Sequence, residues 1–194
     1  MADGGSVRTA RLYTRTGDRG ETGLAGGVRI AKDAPRLRAY GALDELASAL
    51  GLAEALLPPG PTLPDHRGLL ATCQHELFTA MSELARPPGA APPDHRIEAR
   101  HVAGLEAAID RLGGQVPPLR NFILPRGTAA ASAVHVARTV ARRAERELVA
   151  LHRSEPVRPE LLQWLNRLSD LLFALARVLN HEALEAETPP DYTA

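Results

Sequence analysis

A single cysteine, Cys73, occurs in 194 residues, so no internal disulfide can form and a reducing compartment is expected. It falls on an apolar helical face, where a buried structural thiol is the reading rather than a nucleophile. Aromatic residues make up only 4% of the chain, too few for the base-stacking platforms of nucleic-acid proteins. An excess of one charge is missing as well. Twenty-three basic residues balance 23 acidic ones, leaving no global field toward nucleic acid or a membrane surface. Any anion site must be local. No apolar run approaches the roughly 18 residues of a membrane span, and the opening Met-Ala-Asp-Gly-Gly-Ser has no signal-peptide core. A soluble cytoplasmic protein is the expectation. Lysine is nearly absent: 22 of the 23 basic residues are arginine and Lys32 is the exception. Codon bias accounts for the arginines, and it leaves open whether Lys32 serves as a compact point charge for phosphate.

What is present is helical. The length suits one domain with a real core. Residues 1–10 read as disordered, 11–185 as a single helical-bundle domain, and 186–194 as a loose tail. Pro35 fits a first helical position, and Leu37, Tyr40, Leu43, Leu46, Ala47 and Leu50 form an apolar stripe that ends before Pro58-Pro59. After a proline-rich connection over 58–64, a second helix is predicted from Asp65 to Leu84, with Leu70, Cys73, Leu77 and Met81 inward. A third is predicted from Asp94 to Leu112, a fourth from Thr128 to Leu151, and a fifth from Pro159 to Leu184. Five long helices with short connections and no repeat imply an all-α, five-helix bundle of ferritin-like, up-and-down arrangement.

Two stretches stand apart. Residues 11–32 are rich in glycine, threonine and charge and have no helical period. Gly17, Gly20, Gly23 and Gly26 recur every third residue, but the run is too short and too poor in proline for collagen, and it contains no P-loop. It is either an ordinary entry loop or a phosphate nest, with Thr14, Thr16 and Thr22 supplying hydroxyls and Arg15, Arg19 and Lys32 charge. The second stretch, 116–127, is kept out of helix by prolines and carries Phe122, Ile123 and Leu124. These three form a short strand, tuck into the core, or line an apolar cavity.

On the fourth helix Arg138, Arg142 and Arg146 stand four apart and share one stripe, with Arg143 beside it. Like charges at that spacing repel by a few tenths of a kcal/mol per pair. The stripe is therefore either well solvated or waiting for an anion. Asp44 and Glu45 on the first helix are solvated or are candidate partners for it, and Asn166, Arg167, Ser169 and Asp170 make a polar spot on the fifth. Other chemistries fall away. A di-iron bundle needs two Glu-x-x-His pairs, and only Glu98-x-x-His101 occurs. A hydrolase elbow of the form Gly-x-Ser-x-Gly is absent. From the residues alone, the chain reads as a helical bundle that binds a phosphorylated small molecule.

Five motifs then carry a resemblance. Tyr13-Thr-Arg-Thr-Gly-Asp-Arg-Gly-Glu-Thr-Gly, Tyr40-Gly-Ala-Leu-Asp-Glu-Leu, Phe122-Ile-Leu-Pro, Ala141-Arg-Arg-Ala-Glu-Arg and Leu165-Asn-Arg-Leu-Ser-Asp resemble the PduO-type ATP:cob(I)alamin adenosyltransferases, in that family's order. The resemblance implies a homotrimer with active sites between subunits. It implies transfer of the 5′-deoxyadenosyl group of ATP to cob(I)alamin, with release of triphosphate and assistance from Mg²⁺. A flavin reductase and an adenosylcobalamin-dependent mutase or dehydratase are the implied partners. By position, Thr14, Arg15, Thr16, Gly17, Thr22, Gly23 and Lys32 would hold ATP, together with Arg142, Arg143, Glu145, Arg146 and Asn166. Arg142, Lys32 and Phe122 would be the catalytic set, with Phe122 against the lower face of the corrin. Asp44 and Arg138 would form a salt bridge at the subunit interface, and no protein metal site is implied. Arg126 departs from the family's Pro-Gly-Gly turn, and Ala47 stands where a polar residue is common. The alternative from another class is a non-catalytic carrier of adenosylcobalamin or nucleotide with the same fold.

Overall fold

The structure, a computed structural model, describes residues 13–59 and 66–193. The expected disorder of residues 1–10 lies outside these residues, as do the expected helix start at Asp65 and most of the proline-rich connection before it. The described elements are a two-stranded hairpin, β1 (Glu21–Gly23) and β2 (Arg29–Ala31), followed by α1 (Pro35–Ala55), α2 (His66–Leu84), α3 (Ala99–Gly113), α4 (Ala129–His152) and α5 (Pro159–Glu182). α1 packs between α2 and α4, α4 packs on α5, and α3 covers another side of α5.

Sequence explains this order. α5 is the innermost helix, with Trp164, Leu165, Leu168, Leu171, Leu172 and Leu175 all fully buried. Each such leucine contributes about 1.5–3 kcal/mol relative to an exposed one. Trp164 also needs a partner for its indole N–H, and Glu76 of α2 accepts that bond at 2.7 Å. Burial raises the Glu76 carboxyl above its usual range, and the indole bond opposes that shift. α4 turns a small-residue stripe of Ala130, Ala137, Ala141 and Ala144 inward, which lets its neighbours approach closely. No helix among the described residues is long and apolar enough to cross a membrane.

One expected boundary is corrected, and two segments gain structure that the sequence left open. α3 starts at Ala99 rather than Asp94. The Ile97 N–H donates to Glu83 Oε1 at 2.6 Å and its carbonyl accepts from Arg158 Nη1 at 2.7 Å, so α2 and α5 hold this segment out of the helix. The Glu98 N–H then donates to His101 Nδ1 at 2.9 Å, so the lone Glu-x-x-His pair serves as a helix cap. The glycine-rich loop is a hairpin, with Thr22 opposite Ile30 and a turn made by Gly26 and Gly27, both at φ 82°. Its tip is tethered where the Ala25 N–H donates to the Ala85 carbonyl at the end of α2. The tail beyond 185 carries no helix or strand, yet it is tied down. Glu187 pairs with buried Arg177 at 2.5 Å, and the Thr188 carbonyl accepts from the Leu124 N–H at 2.8 Å.

Candidate functional site

The expected site residues form three groups. The first surrounds Gly17, ahead of β1. Thr14 and Thr16 hold their hydroxyls 2.8 Å apart, and Arg29 Nη2 donates to the Thr16 carbonyl at 2.7 Å. Lys32, at the end of β2, reaches back over this turn: a Cβ added at Gly17 would stand 3.2 Å from Lys32 Nζ. A side chain there would crowd the ammonium by a few tenths of an ångström. Arg15 adopts a left-handed φ of 60° and stacks its guanidinium 5.4 Å from the Tyr13 ring centroid. A left-handed residue inside a turn aims successive N–H groups into one concavity, which suits an anion. Thr22 and Gly23 lie in β1, and Thr22 is half-buried. Arg29 braces this turn, and a three-residue strand leaves too short an alternation for the sequence to mark it.

The second group lies on the C-terminal half of α4. Arg142 and Arg146 are exposed, and a cavity of about 430 Å³ opens beside them, lined also by Glu145, Val149 and Arg153. Arg146 Nη1 donates to the Arg142 carbonyl at 3.1 Å, and among the described residues neither guanidinium has a carboxylate partner. Arg153 extends this face seven residues beyond Arg146, outside the four-residue spacing that marks the stripe in the sequence. Asn166 donates to Glu145 Oε1 at 2.8 Å and accepts from Arg167 at 2.6 Å, while Arg167 pairs with Glu106 at 3.0 Å. The polar spot on α5 therefore orients Glu145 beside the arginines. Arg143 turns the other way and pairs with Glu45 of α1.

Arg138 differs from the rest of its stripe. It is half-buried, its guanidinium stacks 5.9 Å from the Phe173 ring centroid, and its Nε has no hydrogen-bond partner. Burial, and then the charge of Arg142, lower its pKa. Asp44 is exposed, and no ion pair joins it to Arg138 within the chain. Among the described residues no carboxylate pairs with Arg138.

The third group is the loop before α4. Phe122 is 83% exposed, whereas Ile123 and Leu124 are half-buried. The apolar triplet therefore divides, two residues inward and one ring displayed, and it forms no strand. A cavity of about 710 Å³ lies beside Phe122, bordered by Leu119, Pro189, Pro190 and Tyr192. No group of three or more histidine, cysteine or acidic residues that could hold a metal exists among the described residues. Cys73 is fully buried, and its thiol is pushed up by burial, as a structural cysteine's would be.

The hairpin and Phe122 do not meet within one chain. Arg36, at the start of α1, binds Glu155 just beyond the end of α4, so the hairpin that precedes α1 lies at the C-terminal end of α4. Phe122 precedes the N-terminal end of α4. A helix of 24 residues is about 36 Å long, so the two groups sit at opposite ends of the bundle.

The model of the cobalamin adenosyltransferase family matches residues 12–179. Over 173 residues the chain is 50% identical to the corrinoid adenosyltransferase PduO of Citrobacter freundii, covering 89% of this chain and 50% of that protein. It thus spans about half the length of that relative. It is 47% identical over 170 residues to the corrinoid adenosyltransferase of Bacillus subtilis, covering 88% of this chain and 86% of that one. A phenylalanine-to-alanine variant of a PduO-type ATP:corrinoid adenosyltransferase from Lactobacillus reuteri, complexed with cobalamin and ATP, superposes with a TM-score of 0.86. That match has 36% identity and covers 93% of this chain and 99% of that one.

Proposed function

The chain belongs to the cobalamin adenosyltransferase family, and on that premise we propose that it transfers the 5′-deoxyadenosyl group of ATP to cob(I)alamin. The observation that carries this reading is the pairing of an arginine face, without carboxylate partners among the described residues, with a phenylalanine ring displayed to solvent. One suits a polyphosphate and the other an apolar macrocycle.

The reaction needs no nucleophilic side chain. The cobalt(I) electron pair forms the bond to C5′, the C5′–oxygen bond breaks, and its pair leaves with triphosphate. The chain's residues orient ATP and neutralise the charge that grows on the leaving group. Lys32 and the Thr14–Gly17 turn hold the triphosphate at one end, with Thr22 and Gly23 forming the adjoining strand. Arg142 and Arg146, with Glu145 oriented by Asn166, face the nucleotide from α4. Arg143 joins them only by exchanging Glu45 for phosphate. Bound with the ATP, Mg²⁺ would supply further charge neutralisation on the phosphates, and Glu145, which lines the cavity, would be the carboxylate placed to help hold it. Phe122 lies against the lower corrin face. Axial ligation is a principal lever on a metal's potential, so an apolar wall with no donor favours formation of cobalt(I).

The hairpin and Phe122 flank opposite ends of α4, so one site built from both would draw on more than one copy, in keeping with a homotrimer with sites between subunits. The unpartnered Nε of Arg138 supports an intersubunit bridge to Asp44. Cytoplasmic location, electron supply by a flavin reductase and delivery to a mutase or dehydratase belong to the same proposal, and Cys73, single and buried, is in keeping with a reducing compartment.

The test is to mix the protein with chemically reduced cob(I)alamin, ATP and Mg²⁺ under anaerobic conditions. The corrinoid spectrum and released triphosphate are followed together. Adenosylcobalamin and triphosphate should appear in equal amounts. Binding of both substrates without product would identify a carrier instead. Phe122→Ala should cripple turnover from cob(II)alamin while sparing ATP affinity, and equal losses in both would remove Phe122 from its role.

A further inference from the structure

We propose that Arg177 and Asn180, three residues apart near the end of α5, are positioning residues that clamp both ends of the loop presenting Phe122. This rests on the reading of Phe122 as the wall beneath the corrin. With its ring 83% exposed, Phe122 has little packing of its own to fix it, so its position depends on where the backbone is anchored.

The anchors converge on α5. At the start of the loop, Arg177 Nη2 donates to the Pro117 carbonyl at 2.7 Å. At its end, Asn180 Nδ2 donates to the Arg126 carbonyl at 2.9 Å, while Asn180 Oδ1 accepts the Thr128 N–H at 3.0 Å. One orientation of the carboxamide satisfies both. In the middle, the Leu124 N–H donates to the Thr188 carbonyl at 2.8 Å, and the neighbouring Glu187 is gripped by Arg177 at 2.5 Å. Gly127, between the two Asn180 bonds, has φ 125°, and a Cβ there would lie 2.1 Å from Asn180 Oδ1. The carboxamide rests directly on the turn.

Arg177 and Asn180 are 7% and 4% exposed. Burying a guanidinium and a carboxamide costs desolvation that a leucine on the same helix face would avoid. What these polar groups add is directional: they specify the path of the backbone on either side of Phe122. Arg126, where the family's turn has glycine, is accommodated because the clamp uses its carbonyl and leaves its side chain exposed.

Full-length Asn180→Ala, Arg177→Gln, Arg177→Lys and Phe122→Ala are compared with the parent protein. Three quantities are read: ATP affinity, turnover from cob(II)alamin with a reductant and from chemically reduced cob(I)alamin, and the electron paramagnetic resonance spectrum of bound cob(II)alamin. The spectrum reports whether an axial nitrogen stays coordinated. Asn180→Ala and Arg177→Gln should each slow turnover from cob(II)alamin by up to about 10²-fold, as misplacing a reacting group does. Axial nitrogen should reappear in the spectrum, while ATP affinity changes by less than about twofold and turnover from cob(I)alamin falls far less. Arg177→Lys should recover part of the loss. Parallel losses in ATP affinity and in both assays would show a merely structural role and overturn the clamp. An unchanged spectrum in both clamp variants, with nitrogen restored in Phe122→Ala, would overturn it too while leaving the Phe122 reading intact. A Phe122→Ala spectrum identical to the parent's would overturn that reading and the clamp with it. The two clamp variants act at opposite ends of the loop, so a folding defect in one leaves the other decisive.

Discussion

His135 shows how much a single residue on α4 can set. It is 3% exposed, neither ring nitrogen has a hydrogen-bond partner, and its ring lies 6.2 Å from that of Phe173. Burial first, and the Arg138 charge second, lower its pKa from 6.5 to about 4. Between those values the unfolded chain binds a proton that the folded chain does not. The stability associated with neutral His135 is thus fully present above pH 6.5 and is lost as pH falls toward about 4. Urea midpoints measured across this window at constant protomer concentration should fall with pH, and His135→Leu should flatten that decline. An equal decline in the variant would mean that other groups carry it. The histidine was visible in the sequence, but its burial was not. An apolar face tolerates a histidine at its edge as readily as inside.

At the scale of the element, α4 resolves what its arginine stripe left open. Periodicity placed Arg138, Arg142 and Arg146 together, and the structure separates them: Arg138 lies over Phe173, while Arg142 and Arg146 border an open cavity. Arg142→Ala should weaken ATP binding or the single-turnover rate by about 1.5–3 kcal/mol, the loss of a charged contact. Calorimetry and rapid mixing would measure it, and parental values in both would make α4 a solvated face. Arg143→Ala removes an exposed pair with Glu45, worth only about 0.2–1 kcal/mol, and should cost ATP binding less than Arg142→Ala does. The hairpin and the start of α3 were not legible for a shared reason. Each depends on bonds to distant chain: the Ala25 N–H to Ala85, and the Ile97 backbone to Glu83 and Arg158. Arg177 and Asn180 belong to no motif, and nothing local along the leucine-rich helix marks their partners.

For the whole molecule, the bundle is a scaffold whose two ends carry different chemistry. Exposed arginines gather toward the C-terminal end of α4, and the displayed ring stands at the other. Assembly is what would join them, and Arg138 with Asp44 gives it a test. Asp44→Arg and Arg138→Asp should each shift sedimentation from trimer toward monomer, and the double variant should restore the trimer. A double variant that stays dissociated would exclude the pairing.

The inward faces of the five helices were settled by the spacing of apolar residues, because burial of α5 leucines and α4 alanines depends on a period that any solvent-excluding partner would satisfy. The motifs that mark the family were likewise readable, since each is compact along the chain. Tertiary structure alone decided which polar residues are partnered. Hydrogen bonds from Arg177 to Pro117 and Glu187, and from Asn180 to Arg126, join residues that only the packed bundle brings within 3 Å. It also decided that the hairpin and Phe122 lie a helix length apart. That distance follows from the pairing of Arg36 with Glu155 at one end of α4, which no local pattern encodes.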